Sequence, residues 1–366
     1  MTSSMLNIKD IENSIILGDC IAVLSKIPGE SVDLVFADPP YNLQLKNVLY
    51  RPNQTLVDAV NDDWDKFVSL ESYDTFCLAW LNECRRVLKK NGSLWVIGTY
   101  HNIFRIGKII QDLGYWILND IVWVKTNPMP NFKGTRFNNA HETLIWAAKD
   151  PKSKPVFHYK SMKVHNDDKQ MRSDWYLQIC NGSERIRING EKAHSTQKPE
   201  ALLRRIILAT SNPNDLVLDP FIGSGTTGAV AKLLNRRYIG IEKEQKYVEM
   251  ANKRIDAITP VAIALLGYEI EEKKPRVPFG NLLDVGLISP GDILYSKDLE
   301  KTAYVQADSS VKYKNFIGSI HKVGAIADSK PACNGWEYWY IKKNDRLVSI
   351  NDLRSKYIEN YHKESR

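Results

Sequence analysis

Val32-Asp33-Leu34-Val35-Phe36-Ala37-Asp38-Pro39-Pro40-Tyr41 is a short apolar run that stops at turn chemistry. It lacks the apolar–polar alternation of a half-exposed strand, so it predicts a strand buried on both faces, as in parallel sheets. Leu216-Val217-Leu218-Asp219, ending at Pro220-Phe221-Ile222-Gly223, repeats the pattern. An Ala- and Leu-rich helical stretch over 226–235 follows it, and then another strand, Tyr238-Ile239-Gly240-Ile241-Glu242. Residues 93–97 and 117–124 add further strands, and helical periodicity fits 73–88 and 199–210. Strands alternating with helices predict βαβ units and a doubly wound, mostly parallel α/β sheet of Rossmann-like form.

Residues 126–195 break this rhythm. They are rich in Asn, Pro, Lys and His and read as an insertion carrying substrate contacts within a first domain spanning 1–266. The charged, proline-punctuated stretch Glu271-Glu272-Lys273-Lys274-Pro275-Arg276-Val277-Pro278 marks a linker, taken as 267–278. Residues 279–366, with short runs at 293–295 and 336–341, read as a small separate module. The net charge of +7 is unevenly placed: −3 over 1–119, +5 over 120–200, +2 over 201–274 and +3 over 275–366. The middle and the C-terminal part are therefore the parts expected to face a polyanion. The N-terminus has no basic region followed by an apolar core, and the longest apolar stretches, such as 261–266, are too short to span a bilayer. The five cysteines (Cys20, Cys77, Cys84, Cys180, Cys333) show no Cys-x-x-Cys spacing. They argue for a reducing, cytoplasmic setting and against a disulfide framework or a zinc site.

Two motifs carry the chemistry. Gly223-Ser224-Gly225-Thr226-Thr227-Gly228 sits between a strand and a helix, and Glu242 ends the next strand. The formal reading is a dinucleotide fingerprint. Physically it says less: glycines let the backbone approach a ligand, and an acidic residue accepts hydrogen bonds from ribose hydroxyls. Any adenosine-containing cofactor meets those terms, and a tight strand-to-helix turn also uses glycine. Asp38-Pro39-Pro40-Tyr41 separates the alternatives. It follows a buried strand directly, as the glycine loop does, and in an open parallel sheet the carboxyl ends of strands share one edge where ligands bind. The residue types suit methylation of an exocyclic amine. Such a nitrogen is a poor nucleophile because its lone pair is delocalised into the ring. A carboxylate (Asp38) and a backbone carbonyl (Pro39) can accept both N–H hydrogens and favour a pyramidal nitrogen. Pro39 and Pro40 remove competing donors and stiffen the loop, and Tyr41 offers a face for a flipped base. With a sulfonium methyl donor, transfer is an in-line displacement that depends on positioning and calls for no metal. A rigid turn would use the same four residues; their place after a buried strand, paired with the glycine loop, favours a site.

These blocks resemble the amino-methyltransferases of DNA. The catalytic motif precedes the cofactor motif, as in the β class. Further blocks extend the resemblance to the cell-cycle-regulated, GANTC-specific adenine methyltransferases over essentially the whole chain. They are Asn42-Leu43-Gln44-Leu45, residues 127–137, Asn139-Ala140-His141-Glu142, His194-Ser195-Thr196-Gln197-Lys198-Pro199-Glu200, Ser319-Ile320-His321-Lys322 and Asn334-Gly335-Trp336. The resemblance implies that residues 38–41 hold the target adenine. It implies that Asp219, Phe221, Gly223, Gly225, Thr226 and Thr227 line S-adenosylmethionine and that Glu242 takes its ribose. Asp19 corresponds to the contact to the cofactor's adenine, and Lys198-Pro199 to a further cofactor motif. Double-stranded DNA as partner, a homodimer, a nucleoid-associated cytoplasmic enzyme, and a role in cell-cycle regulation or restriction–modification follow in the same way. Ile222 and Ser195 depart from the common Phe and Pro, and neither side chain is needed by the chemistry.

Other features have plain readings. His141 and His194 are read as structural hydrogen-bonding residues, since an Asp-held amine calls for no separate base. Trp336, Tyr338, Trp339 and Tyr340 could stack on bases, but alternating aromatics more often form a small sheet's core. Asn61-Asp62-Asp63-Trp64-Asp65 reads as a solvated loop. Leu43, Leu45, Lys133, Arg136, Arg172 and Trp336 are candidate DNA contacts, without a base assigned to any of them. The rival readings are cytosine-N4, RNA or protein amine methylation, a nicotinamide-dependent oxidoreductase, and a catalytically silent DNA-binding protein. The last two leave one or both motifs unexplained.

Overall fold

The computed structural model describes residues 5–42, 67–131, 134–188, 191–192, 196–266, 277–344 and 346–361. The chain divides into two compact units, Met1–Tyr268 and Glu269–Arg366. The first runs α1 (Ile8–Ile11), β1 (Ser14–Leu17), α2 (Cys20–Leu24), β2 (Val32–Ala37), α3 (Leu70–Val87), β3 (Leu88–Gly98), α4 (Ile103–Asp112), β4 (Trp116–Lys125), β5 (His141–Ala148), α5 (Tyr159–Val164) and β6 (Asp174–Leu177). It continues with the short pair β7 (Arg187–Ile188) and β8 (Glu191–Lys192), then α6 (Glu200–Thr210), β9 (Leu216–Asp219), α7 (Thr226–Leu233), β10 (Arg237–Glu242) and α8 (Gln245–Asp256).

Eight strands form one sheet in the order β1-β10-β9-β2-β3-β5-β4-β6. Every strand points the same way except β5, which is antiparallel to both β3 and β4. Alternation within the buried strands covers both faces, as their unbroken apolar runs require. In β2, Val35 and Ala37 join a core with Tyr73, Cys77, Trp80 and Cys84 of α3 and Ile106 and Ile110 of α4. Leu34 and Phe36 join the opposite core, with Leu202, Leu203 and Ile206 of α6 and Ala229 and Val230 of α7. The α3 helix begins where Ser69 and Ser72 cap each other reciprocally, three residues before the periodic stretch begins, at Tyr73.

From β2 the chain proceeds outward to β3, and from β9 it proceeds the other way to β10. The strand order therefore reverses between β2 and β9, which pair in parallel through Leu34–Val217 and Val35–Leu218. This is the topological switch point, where side-by-side carboxyl ends leave a crevice.

Residues 126–195 break the βαβ rhythm yet also supply strands to the sheet: β5 lies inside it between β3 and β4, and β6 extends its edge parallel to β4. An antiparallel strand needs no crossover helix, so it leaves no βαβ rhythm in the sequence. The proposed linker falls mostly on 267–276, outside the described residues.

The second unit contains α9 (Gly280–Asp284), β11 (Ile293–Tyr295), β12 (Thr302–Val305), β13 (Val311–Tyr313), β14 (Phe316–Gly318), α10 (Ile320–Ala327), α11 (Gly335–Tyr338), β15 (Tyr340–Lys343), β16 (Arg346–Ser349) and α12 (Ile350–Tyr361). Its six strands form an antiparallel sheet, β14-β13-β12-β11-β15-β16. Leu282, Val323, Leu353, Trp336 and Trp339 fill its core. The apolar run at 336–341 is thus a helical turn followed by a strand. Among the described residues no helix is long and apolar enough to cross a membrane.

Candidate active site

The crevice at the switch point is a cavity of about 360 Å³, within the size range of small-ligand sites. The Asp38–Tyr41 loop forms one side. The loop after β9, Glu242 at the end of β10 and the Gly18–Cys20 corner form the other.

The glycine loop is organised by its own acidic residues. Asp219 is 2% exposed. Its carboxylate accepts from the Phe221 N–H at 2.9 Å and the Thr227 hydroxyl at 2.5 Å. Burial pushes its pKa up to about 7, against the pull of those two donors. Glu242 Oε2 accepts from the Gly223 N–H at 3.0 Å, and Oε1 from the Lys243 and Glu244 N–H groups at 2.8 and 2.9 Å. Gly223 and Gly225 have positive φ (47° and 77°), and Gly225 starts α7. A Cβ on Gly225 would lie 2.8 Å from the Ala251 Cβ, so only glycine fits this turn against α8. Thr226 and Thr227 open α7, and Phe221 packs edge-on against Trp80. Asp19 caps α2 by accepting from the Ile21 and Ala22 N–H groups at 3.1 and 3.0 Å, and it lines the cavity. Asp19, Asp219 and Glu242 thus border the crevice beside the glycine-lined turn, and this set of acceptors fits a cationic ligand bearing ribose hydroxyls.

On the other side, Asp38 follows β2 at the sheet edge, its side chain 18% exposed. Its Oδ2 accepts from Lys198 Nζ at 2.7 Å, and the Tyr41 hydroxyl lies 3.0 Å from its Oδ1. The same hydroxyl lies 3.0 Å from Glu142 Oε2. Glu142 is ion-paired to Lys125 at 2.8 Å, with Lys198 Nζ 4.0 Å away. Lys198 Nζ also sits 5.2 Å from the Tyr41 ring centre. Burial pushes the Asp38 carboxyl above its ordinary value, opposed by the Lys198 ammonium. Burial acts likewise on Glu142, but the Lys198 and Lys125 ammoniums outweigh it and hold that carboxyl below its ordinary value. For Lys198 the two carboxylates overcome the burial cost and raise its pKa. Asp38 and Glu142 thus each sit against a lysine, Lys198 and Lys125 respectively, so the buried carboxylates have counter-groups beside them.

The Pro40 carbonyl accepts from the Tyr73 hydroxyl at 2.7 Å, and Asn102 in turn donates to Tyr73 at 3.2 Å. The Pro39 carbonyl accepts no hydrogen bond from a described residue. Asp38, with Lys198 on Oδ2 and the Tyr41 hydroxyl on Oδ1, and Pro39 both line the crevice.

Of the candidates read from sequence, residues 38–41, Asp19, Lys198, Asp219, Phe221, Gly223, Thr226, Thr227 and Glu242 line this one cavity. Lys198 lies on Asp38, so its side chain is paired with the Asp38–Tyr41 loop, while its carbonyl accepts from the Thr226 hydroxyl at 3.3 Å. Pro199 is the N-cap of α6. Glu142 and Lys125 carry no role in the sequence reading; for Glu142 the available signal is a charged residue shortly before the apolar run Leu144-Ile145-Trp146. Arg172 is exposed and paired with Asp174 at 2.8 Å, and Arg136 is exposed with its guanidinium 5.8 Å from the Tyr100 ring centre. Trp336 is corrected: it is 6% exposed, packed between Phe279 and Arg354, and cannot stack on a base from that position. Its indole is apolar enough to complete a small core. His141 is exposed and pairs with Val124 through the β4–β5 ladder, but its ring makes no hydrogen bond to a described residue, so the structural reading of the ring is not met. Leu43, Leu45, Lys133, His194 and residues 61–65 lie outside the described residues. Among the described residues no three His, Cys, Asp or Glu side chains are grouped to hold a metal.

A Rossmann-like sheet with an Asp-Pro-Pro-Tyr loop and a carboxylate-lined glycine loop at its switch point defines a methyltransferase of exocyclic amines. The chain belongs to the N6/N4 DNA methylase family, whose model matches residues 32–253. A second model, restriction enzyme adenine methylase associated, matches residues 264–363. The type II methyltransferase M.HinfI of Haemophilus influenzae is 51% identical over 354 residues, 96% of this chain and 98% of the relative. The type II methyltransferase M2.LlaDCHI of Lactococcus lactis subsp. cremoris is 44% identical over 247 residues, 67% of this chain and 90% of the relative. Among solved structures, the M1.HpyAVI–SAM complex is similar at 29% identity and a TM-score of 0.50, covering 66% of this chain and 98% of that one.

Proposed function

We propose that this DNA methyltransferase transfers the methyl group of S-adenosylmethionine to N6 of adenine in double-stranded DNA. The observation that carries the reading is the pair of acceptors, Asp38 Oδ1 and the Pro39 carbonyl, held beside the carboxylate-lined crevice. The cofactor supplies an electrophilic methyl group; the protein supplies position. Asp38 and Pro39 accept the two amine hydrogens, Tyr41 stacks against the flipped base, and Tyr73 stiffens the loop from behind. The aspartate itself supports adenine, because cytosine-N4 members of the family resembled here tend to carry serine at this position. The second unit's likeness to an adenine-methylase-associated module agrees.

A DNA-contacting role for Arg136 and Arg172 rests on their place in the basic segment 120–200. The site sequence GANTC, a DNA-contacting role for the second unit and a homodimer rest on the resemblance of the longer blocks. So does service in restriction–modification or cell-cycle control. Labelled S-adenosylmethionine with a GANTC duplex tests the reading, with digestion to nucleosides: label is expected in N6-methyladenine. Label in N4-methylcytosine overturns the adenine reading, and methylation of GATC in place of GANTC overturns the site.

Cofactor affinity is expected to depend on pH through Asp219. Its pKa of about 7 in the free protein means that a cationic ligand favouring the anion must expel a proton. Affinity therefore rises with pH up to about 7, by as much as roughly tenfold per unit, and levels off above. Calorimetry in buffers of different ionisation enthalpy reads the released proton directly. Asp219→Asn should flatten the dependence; an unchanged slope would assign it to another group.

A further inference from the structure

The Tyr41 hydroxyl has one proton and faces two carboxylates, Asp38 Oδ1 and Glu142 Oε2, each at 3.0 Å. Asp38 Oδ1 is also the oxygen left open for the target amine, since Oδ2 is held by Lys198. While Tyr41 donates to Asp38, that oxygen is partly spent. Glu142 supplies the alternative. It is 8% exposed, ionised, and fixed from the far side by Lys125 at 2.8 Å.

We propose that Glu142 is a positioning residue for methyl transfer, drawing the Tyr41 hydroxyl off Asp38 when the amine arrives so that Oδ1 can accept the amine hydrogen. The inference rests on the amine-methylation reading above. In the free protein the hydroxyl is shared, and its bond to Asp38 opposes the rise that burial gives that carboxyl. In the complex the amine replaces it on Asp38, and the hydroxyl donates to Glu142 alone. No donor loses its acceptor at either stage, which matters because an unmet polar group in so dry a site is costly. The charged and titratable groups facing Asp38 are Lys198 from the segment before α6, Glu142 from β5, Tyr41 from its own loop and Asp219 from the end of β9. Lys125 stands behind Glu142 at the end of β4.

Glu142→Gln is the direct test. Lys125 would select the amide oxygen, turning the NH2 group toward Tyr41. The Tyr41 oxygen then accepts, and its proton stays on Asp38. The single-turnover rate with a labelled duplex should fall roughly ten- to a hundredfold, the size of one misdirected buried hydrogen bond. The acid limb should also move to lower pH, because a negative neighbour of Asp38 is gone. Adding Tyr41→Phe removes the competing hydroxyl, so the double variant should return to the rate of Tyr41→Phe alone. An undiminished rate in Glu142→Gln, or a loss that persists in the double variant, overturns the proposal.

Tyr41→Phe alone gives an independent reading if Glu142→Gln does not fold. The acid limb of kcat/KM, which reports the free enzyme, should move to higher pH, while that of the single-turnover rate stays put. Equal movement of both limbs would mean that the hydroxyl remains on Asp38 in the complex, and the proposal fails. Wild-type protein that puts no label into adenine sinks the underlying functional reading, and this shows before any variant is made.

Discussion

Asp38→Ala should lower the methyl-transfer rate on the order of a thousandfold, the scale seen when one preorganised polar group is removed from an active site. The S-adenosylmethionine dissociation constant should meanwhile stay within about threefold, since the cofactor side of the crevice keeps its own contacts. The reason for the split lies in the geometry. Asp38 stands on the Tyr41–Lys198 side of the crevice, whereas Asp219 and Glu242 organise the glycine loop through their own N–H and hydroxyl donors. Asp38→Asn should be nearly as poor despite its shape. Lys198 would take the amide oxygen and leave the NH2 group facing the amine, donor against donor. Rapid-quench transfer assays and calorimetric cofactor titration measure the two effects separately. A folded variant that loses both would show that Asp38 belongs to the cofactor site instead.

Lys198→Met is expected to have the next largest effect, on two observables at once. Lys198 is 7% exposed and lies 2.7 Å from Asp38 and 4.0 Å from Glu142. Without its ammonium, two buried carboxylates share Lys125 alone. Breaking a buried pair by removing one partner costs about 3 kcal/mol, so the first unit should melt at lower temperature. Part of that loss is relieved by protonating Asp38, whose pKa burial already raises. A folded-state pKa raised further means that the neutral acid persists to higher pH, and a neutral acid is a poor acceptor for the amine. The acid limb of the rate should therefore move up in pH, with activity partly recovered in alkaline buffer. Unchanged pH dependence would show that Lys198 is not what keeps Asp38 ionised.

Much of the site was legible in sequence because its two loops are continuous. Asp38–Tyr41 and Asp219–Thr227 each carry their chemistry within a few residues, and each follows a strand whose apolar run announces it. Glu142 and Lys125 were not legible as functional residues. They come from neighbouring antiparallel strands, β5 and β4, and matter only because β5 enters the sheet between β3 and β4. Of the two readings of Trp336, the core holds and the DNA contact does not, for a related reason: an aromatic's spacing does not say whether a small core or a ligand covers its face.

What the sequence determined by itself, then, is the buried parallel strands, the loop at the end of each, and the class of chemistry those loops can do. These depend on local apolar runs and on the stereochemistry of Gly and Pro. Only the tertiary structure decided that Lys198, Glu142 and Lys125 converge on Asp38 and Tyr41. A buried charge is tolerable only beside its counter-charge, and its partners here come from segments as far as 160 residues away along the chain.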